Sequence, residues 1–163
     1  MQHIEDHFIE KLKTHEGILK KMLYLYADGS ENKKDLQQEM ILQLWHAYKT
    51  FKGHSKFSTW MYRVCLNTAL NYNKSQKKHS YENLDSAHTL NYTEEHGGDK
   101  EILNLLIRTL DDVDKMIITL YLEGFKNNEI SDITGINTNN VNVKIHRIKA
   151  KFMKHIKSMR YEI

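Results

Sequence analysis

Apolar residues recur at three- and four-residue spacing along most of the 163-residue chain. This spacing places one side chain per turn on the same side of an α-helix, so it predicts helices with one buried face. The sequence contains no proline, the residue that interrupts helices most strongly. We therefore predict an all-α fold.

The first part of the chain is predicted to form three or four helices. One or two opening helices carry the apolar residues between Phe8 and Tyr26 and end near the turn-forming sequence at 27–30. The next predicted helix spans about 35–51.

A further helix is predicted from about Ser58 to beyond Asn73. Ser58 or Thr59 is its expected N-cap, because a hydroxyl there can accept a hydrogen bond from a free N–H of the first turn.

The second part of the chain contains four further predicted helices. Two of them follow from the apolar residues of 103–110 and 113–121, and a short one covers about 129–134. Gly135 then precedes a long helix that begins at Thr138. A short helix, a glycine and a long basic helix is the order of a helix-turn-helix.

The segment 80–98 shows no sustained helical period, contains four acidic residues and no Lys or Arg, and ends in two glycines. We interpret it as a flexible acidic linker. It joins two small helical domains, 1–79 and 99–163, and the second of these contains the helix-turn-helix.

The long C-terminal helix has two distinct faces. Asn137 is its expected N-cap, and the buried stripe is predicted to contain Val141, Ile145, Ile148 and Phe152. The opposite face is then fixed: it contains Asn139, Val143, His146, Arg147 and Ala150, flanked by Asn140, Asn142 and Lys144.

The side chains of that outward face suit sequence-specific DNA recognition. Asparagine pairs with adenine edges, arginine with guanine or phosphate, and an exposed valine meets a thymine methyl. The following cations, Lys149, Lys151, Lys154 and Lys157, suit the phosphate backbone. The alternative is a solvated amphipathic helix whose asparagines reflect an A+T-rich genome.

The net charge of +3 conceals an uneven distribution. Residues 1–79 have an excess of Lys and Arg, and residues 138–163 carry seven of these cations against one acidic residue. The stretch between them is acidic. This segregation indicates two nucleic-acid-facing surfaces rather than a uniform basic coat.

The predicted helix 35–51 also has two faces. Leu36, Met40, Leu44, Tyr48, Ile41 and Trp45 form its apolar side. The other side carries Asp35, Gln38, Glu39, Leu42 and His46. A leucine within an exposed acidic stripe indicates a docking surface for a protein partner, although an isolated surface leucine is the alternative.

The segment 51–78 combines cations, aromatic residues and amides without any acidic residue. Aromatic rings stack on unpaired bases, amides bond base edges and lysines follow phosphates, so the mixture suits single-stranded DNA. The candidate DNA-contacting residues are Lys56, Trp60, Arg63, Asn67, Asn71 and Lys74. Trp60 has an alternative place in the hydrophobic core, and Asn67 an alternative role in bonding the following loop.

Several classes of function are disfavoured. The single cysteine, Cys65, excludes an internal disulfide and is expected to be a small core residue. His3 and His7 have helical metal-ligand spacing, but terminal histidines are more often solvated, so we expect no metal. The sequence has no glycine-rich phosphate loop, no HExxH motif and no carboxylates clustered on one face, so we also expect no cofactor and no catalytic residue. The absence of a long apolar run predicts a cytoplasmic protein without membrane insertion.

The segments 35–45, 51–67 and 124–152 together resemble the extracytoplasmic-function group of bacterial sigma factors. The resemblance implies a protein that binds core RNA polymerase through its clamp helices and flap, reads two promoter elements in double- and single-stranded DNA, and flips a base to open them. It also implies a separate anti-sigma protein as a partner.

Position by position, the resemblance assigns three surfaces. Asp35, Gln38, Glu39 and Leu42 fall where the family meets the clamp helices. Arg63, Asn67 and Asn71 fall where it reads and unstacks the minus-ten element. The face from Asn139 to Arg147 falls where it reads the minus-thirty-five element.

The alternative function is a transcriptional regulator that uses only the helix-turn-helix. Such a protein binds specific duplex DNA by itself, whereas a sigma factor needs core polymerase.

Overall fold

The computed structural model describes residues 2–80 and 98–161, which contain α-helices and no strand. The N-terminal unit consists of α1 (Gln2–Thr14), α2 (Glu16–Tyr26), α3 (Ser30–Tyr48) and α4 (Phe57–Ser80). The C-terminal unit consists of α5 (Asp99–Arg108), α6 (Asp112–Leu122), α7 (Asn127–Thr134) and α8 (Thr138–Tyr161). The predicted all-α class is confirmed. Within the described ranges, no helix is both long and apolar enough to span a membrane.

The predicted linker lies almost entirely outside the described residues. Ser80 is the last residue of α4 and Gly98 immediately precedes α5, so 81–97 are not part of the description. The predicted domain limits at residues 79 and 99 stay predictions.

The core of the N-terminal unit is built by α2, α3 and α4, which pack against one another. Its largest fully buried side chains are Met22, Leu36, Met40, Leu44, Met61 and Leu66. Helix α1 joins this core through the buried ring of Phe8, whose centroid lies 5.2 Å from that of Trp45 and 5.1 Å from that of Tyr48. The predicted apolar face of α3 is therefore the buried one.

Helix α3 begins five residues before its predicted start. Gly29 has a φ of 78°, a conformation that favours glycine, and it ends the connection from α2. The first turn of α3 contains only polar residues, so its sequence carried no apolar period to reveal it. At the other end, N–H groups of Thr50 and Phe51 bond carbonyls three residues back, which closes a tight turn after Tyr48.

The predicted N-cap of α4 is wrong. Ser58 and Thr59 lie inside the first turn of the helix, which begins at Phe57. The first intrahelical bond runs from the N–H of Trp60 to the carbonyl of Lys56 at 3.1 Å. Lys56 therefore occupies the cap position.

In the C-terminal unit, α6 packs against both α7 and α8, and α5 packs on α6. Gly135 ends α7 in the left-handed conformation, with a φ of 74°. The Asn137 side chain then accepts a hydrogen bond from the N–H of Asn139 at 2.8 Å. The N-cap at Asn137 was predicted, as was the place of Gly135 between the two helices, and together they set α8 directly after a sharp reversal of the chain.

Candidate docking and nucleic-acid interfaces

The exposed stripe of α3, formed by Asp35, Gln38, Glu39, Leu42 and His46, is called the docking stripe below. Leu42 has 46% of its surface exposed, whereas Leu36, Met40 and Leu44 have none. Glu39 is half-buried, and its carboxylate accepts a hydrogen bond from the Gln43 amide at 2.8 Å. An exposed leucine beside carboxylates suits a partner that offers both apolar and cationic side chains.

Leu42 also borders an apolar groove of about 550 Å³ between α1 and α3. Its lining residues are Glu5, Phe8, Ile9, Gln38, Ile41, Leu42 and Trp45. Ile9 on α1 is exposed to nearly the same degree as Leu42. The spacing within one helix does not reveal this groove, because it arises only when α1 packs against α3. The two exposed apolar residues were its only signal.

The predicted minus-ten residues form a polar stripe along α4. Arg63, Asn67, Asn71 and Lys74 are all exposed, at the spacing that places them on one side of a helix. The neighbouring positions Met61, Cys65 and Leu66 are buried. Lys56 is exposed just before the helix. The α4 stripe is therefore exposed to solvent along about three turns.

Trp60 belongs to an aromatic cluster that fixes the connection between α3 and α4. Its ring centroid lies 4.9 Å from that of Phe51, 5.1 Å from Phe57 and 6.1 Å from Tyr48. The side chain is half-buried. Trp60 therefore packs within the aromatic cluster, and its stacking on an unpaired base stays a prediction.

A groove of about 760 Å³ between α3 and α4 brings the docking stripe and the α4 stripe together. Asp35, Gln38, Glu39 and Leu42 line it from α3, and Asn67 and Asn71 line it from α4. His46, Lys56, Trp60, Arg63 and Lys74 are not among its lining residues. One wall is therefore acidic and the other carries amides, which suit base edges.

The outward face of α8 agrees with its prediction. Asn139, Asn140, Asn142, Val143, His146 and Arg147 are exposed, and Val143 has 46% of its surface exposed. Val141, Ile145, Ile148 and Phe152 are buried. Because the exposed residues and the buried residues lie on opposite faces, α8 can contact DNA without disturbing its own packing.

Two of the α8 residues predicted to contact DNA already interact with side chains of other helices. The Lys144 ammonium lies 2.6 Å from a carboxylate oxygen of Asp114 on α6, and the Lys144 side chain is only half-buried. The Asn142 amide oxygen accepts a hydrogen bond from the amide of Asn127 on α7. Sequence spacing could not show either contact, because both partners come from other helices.

The basic end of α8 contains exposed cations at Lys151, Lys154 and Lys157. Lys149 differs, because its ammonium donates to the Tyr121 hydroxyl at 2.5 Å and lies 4.1 Å from the centroid of that ring. The hydrogen bond and the cation–π contact hold the Lys149 ammonium against Tyr121 on α6.

Cys65 is fully buried, and burial raises the pKa of its thiol to about 12. The predicted core position is confirmed. Among residues 2–80 and 98–161, no three His, Cys, Asp or Glu side chains are arranged to hold a metal ion. Nδ1 of His7 lies 2.8 Å from the Tyr48 hydroxyl.

Two family models match the chain. Residues 12–79 match sigma-70 region 2, and residues 100–152 match sigma-70 region 4. Together they cover about three quarters of the sequence.

Curated relatives agree with these matches. The chain is 30% identical over 132 residues to the ECF RNA polymerase sigma-E factor of Escherichia coli (strain K12), covering 71% of this chain and 69% of that protein. It is 25% identical over 137 residues to the RNA polymerase sigma factor SigV of Bacillus subtilis (strain 168), covering 83% and 82%.

Two solved structures share the fold. The sigma factor RpoE from Bartonella quintana, in complex with the anti-sigma factor NepR, matches with a TM-score of 0.72 at 12% identity over 96% of this chain and 98% of that one. CnrH, in complex with the cytosolic domain of CnrY, matches with a TM-score of 0.64 at 16% identity over 94% and 90%.

Proposed function

Because this chain belongs to the extracytoplasmic-function group of sigma-70 factors, we propose specific roles for its surfaces in transcription initiation. As a sigma factor it directs RNA polymerase to promoters. The docking stripe meets the polymerase clamp helices, and the C-terminal unit also meets the flap. The polymerase catalyses RNA synthesis, so no residue of this chain is assigned a catalytic role.

Each of the two DNA-facing surfaces contacts a different promoter element. Lys56, Trp60, Arg63, Asn67, Asn71 and Lys74 contact the minus-ten element. Asn139, Asn140, Asn142, Val143, His146 and Arg147 contact the minus-thirty-five element. The placement of Asn67 and Asn71 on the groove wall supports their contact with a base that has left the duplex.

One observation carries this proposal: four of the five residues of the docking stripe and the two asparagines of α4 line the same groove. A partner on α3 is therefore adjacent to DNA on α4. A regulator that used only its helix-turn-helix would have no need for this arrangement. This favours the sigma function over the regulator.

We also propose an anti-sigma protein as a regulatory partner. Its support is that a solved sigma factor of the same fold is bound to the anti-sigma factor NepR. Action on chromosomal promoters places the chain in the bacterial cytoplasm.

The test is promoter opening by reconstituted polymerase. Asn67→Ala is expected to reduce open-complex formation on linear duplex DNA by about tenfold, since a base-edge contact is worth about 1–3 kcal/mol. The same variant should retain activity on DNA with a pre-opened mismatch bubble, because the mismatch already supplies the unpairing energy.

Gln76→Ala is the matched control, since Gln76 is an exposed amide on α4 that does not line the groove. If Asn67→Ala opens closed duplex as well as the parent, the flipping role belongs to another residue. If the parent binds specific duplex DNA alone and never opens it with core polymerase, the regulator function replaces this one.

A further inference from the structure

Lys144, one of the α8 residues predicted to contact DNA, forms an ion pair within the C-terminal unit. Its ammonium forms an ion pair of 2.6 Å with Asp114, and the two side chains are only 34% and 24% exposed. We infer that Asp114 withholds the Lys144 charge from DNA and so sets the number of phosphate contacts that α8 makes. This inference rests on the proposed contact of α8 with upstream promoter DNA.

The backbone of Asp114 is fixed at the start of its helix. Asp114 lies in the first turn of α6, and its N–H donates to the side chain of Asp111, the N-cap, at 2.8 Å. Acidic residues in this turn are favoured by the helix dipole. Asp114 therefore meets Lys144 from a helix terminus that favours its charge, with a side chain that is only 24% exposed.

The lysine is at the edge of the outward face of α8. Asn140 and Arg147, four residues before it and three after it, are its neighbours on the helix surface, and both are exposed. A lysine has a flexible four-carbon stem, so a Lys144 released from Asp114 can extend its ammonium toward the phosphates that flank this face.

A phosphate does not readily displace this carboxylate. Moving Lys144 to DNA would leave Asp114, which is only 24% exposed, without its ion-pair partner, and loss of that pair carries a cost. Exposed cations such as Lys154 carry no such cost. The pair therefore stays closed in the complex, and Lys144 serves to fix α8 against α6 rather than to neutralise a phosphate.

The experiment measures how the affinity of reconstituted holoenzyme for promoter DNA depends on salt. The DNA is a duplex selected from a random pool by the parent holoenzyme, and binding is followed by fluorescence anisotropy. Each additional phosphate contact makes the slope of log K against log salt steeper by about 0.9.

Asp114→Asn releases Lys144 and should add one contact. Its affinity should rise at low salt and then fall by an additional factor of about 3.5 between 50 and 200 mM salt. The charge-neutral double variant Asp114→Asn/Lys144→Gln should have the slope of the parent. Thermal melting of each variant checks that the unit remains folded.

Asp99→Asn is the matched control, because it removes the same charge from the first turn of another helix, α5. It should leave the slope unchanged. An unchanged slope for Asp114→Asn would overturn the inference, as would a double variant whose slope is about 0.9 shallower, since Lys144 would then contact phosphate in the parent.

Lys154→Ala separates this inference from the proposed function. It should make the slope shallower by about 0.9 if α8 lies on DNA. If Lys154→Ala has no effect on the slope, the contact between α8 and DNA fails. If Lys154→Ala behaves as expected and Asp114→Asn does not, only the role of Asp114 fails.

Discussion

The hydroxyl of Tyr48 lies 2.8 Å from Nδ1 of His7, so a hydrogen bond joins α1 to the last residue of α3. Tyr48→Phe keeps the ring within the aromatic cluster and removes only this bond. We expect the free energy of unfolding to fall by about 0.5–1.5 kcal/mol in urea denaturation. In a His7→Ala background the same change should cost nothing. An equal cost in both backgrounds would show that the hydroxyl acts elsewhere.

Leucines two positions apart on α3 should respond differently to a charge. Leu42→Arg places the charge on the exposed docking stripe and should abolish co-purification with core polymerase while leaving far-UV helicity intact. Leu44→Arg places it in the core and should unfold the unit, since loss of a buried leucine alone costs roughly 2–5 kcal/mol. Normal polymerase binding by Leu42→Arg, and by Glu39→Lys beside it, would identify the stripe as a solvated face.

Base and phosphate contacts of α8 should be separable. Asn139→Ala or Arg147→Ala should each cost about 1–3 kcal/mol of binding and relax the preferred sequence. Lys154→Ala should instead weaken binding to all sequences equally. Competition between matched and mismatched duplexes for holoenzyme measures the difference. A uniform loss from all three variants would mean that α8 lies along the backbone.

Cys65 should make the N-terminal unit sensitive to alkaline pH. Burial raises the pKa of the thiol from 9.0 to about 12, so above pH 9 the unfolded chain ionises while the folded chain does not. The stability is thus complete below pH 9 and is lost progressively as the pH rises toward 12. At pH 10 the loss is about 1.4 kcal/mol.

Urea denaturation of the parent and of Cys65→Ala at pH 8, 9 and 10 tests this. The difference between the two free energies should shift by that amount from pH 8 to pH 10. A constant difference would show that the thiol is accessible to water. A thiol-specific reagent should also react with Cys65 only after unfolding.

The sequence predicted those features that depend on one helix at a time. The period of α8 separated Val141 and Ile145 from Val143 and Arg147, because burial repeats with each turn. Gly135 and Asn137 marked the turn through local chemistry. The first turn of α3 was missed because its polar residues bury nothing.

Features that join two helices were not predictable from spacing. The groove between α3 and α4, the contact of Lys144 with Asp114 and the packing of Phe8 on Trp45 each depend on how separate helices meet. A single sequence carries the apolar faces that drive this packing but not the register at which they interlock. The docking stripe was therefore found, whereas the apolar groove beside it was not.

The separation of the two faces of α8 has an evolutionary consequence. The apolar side chains that pack the helix are buried, namely Val141, Ile145, Ile148 and Phe152, while Asn139, Val143 and Arg147 are exposed and take no part in that apolar packing. If these residues read promoter DNA as proposed, substitutions at Asn139, Val143 or Arg147 are expected to alter promoter choice with little penalty in folding. A duplicated copy of this gene would then acquire a new set of target promoters through a few surface changes, because each intermediate along the way remains a folded protein.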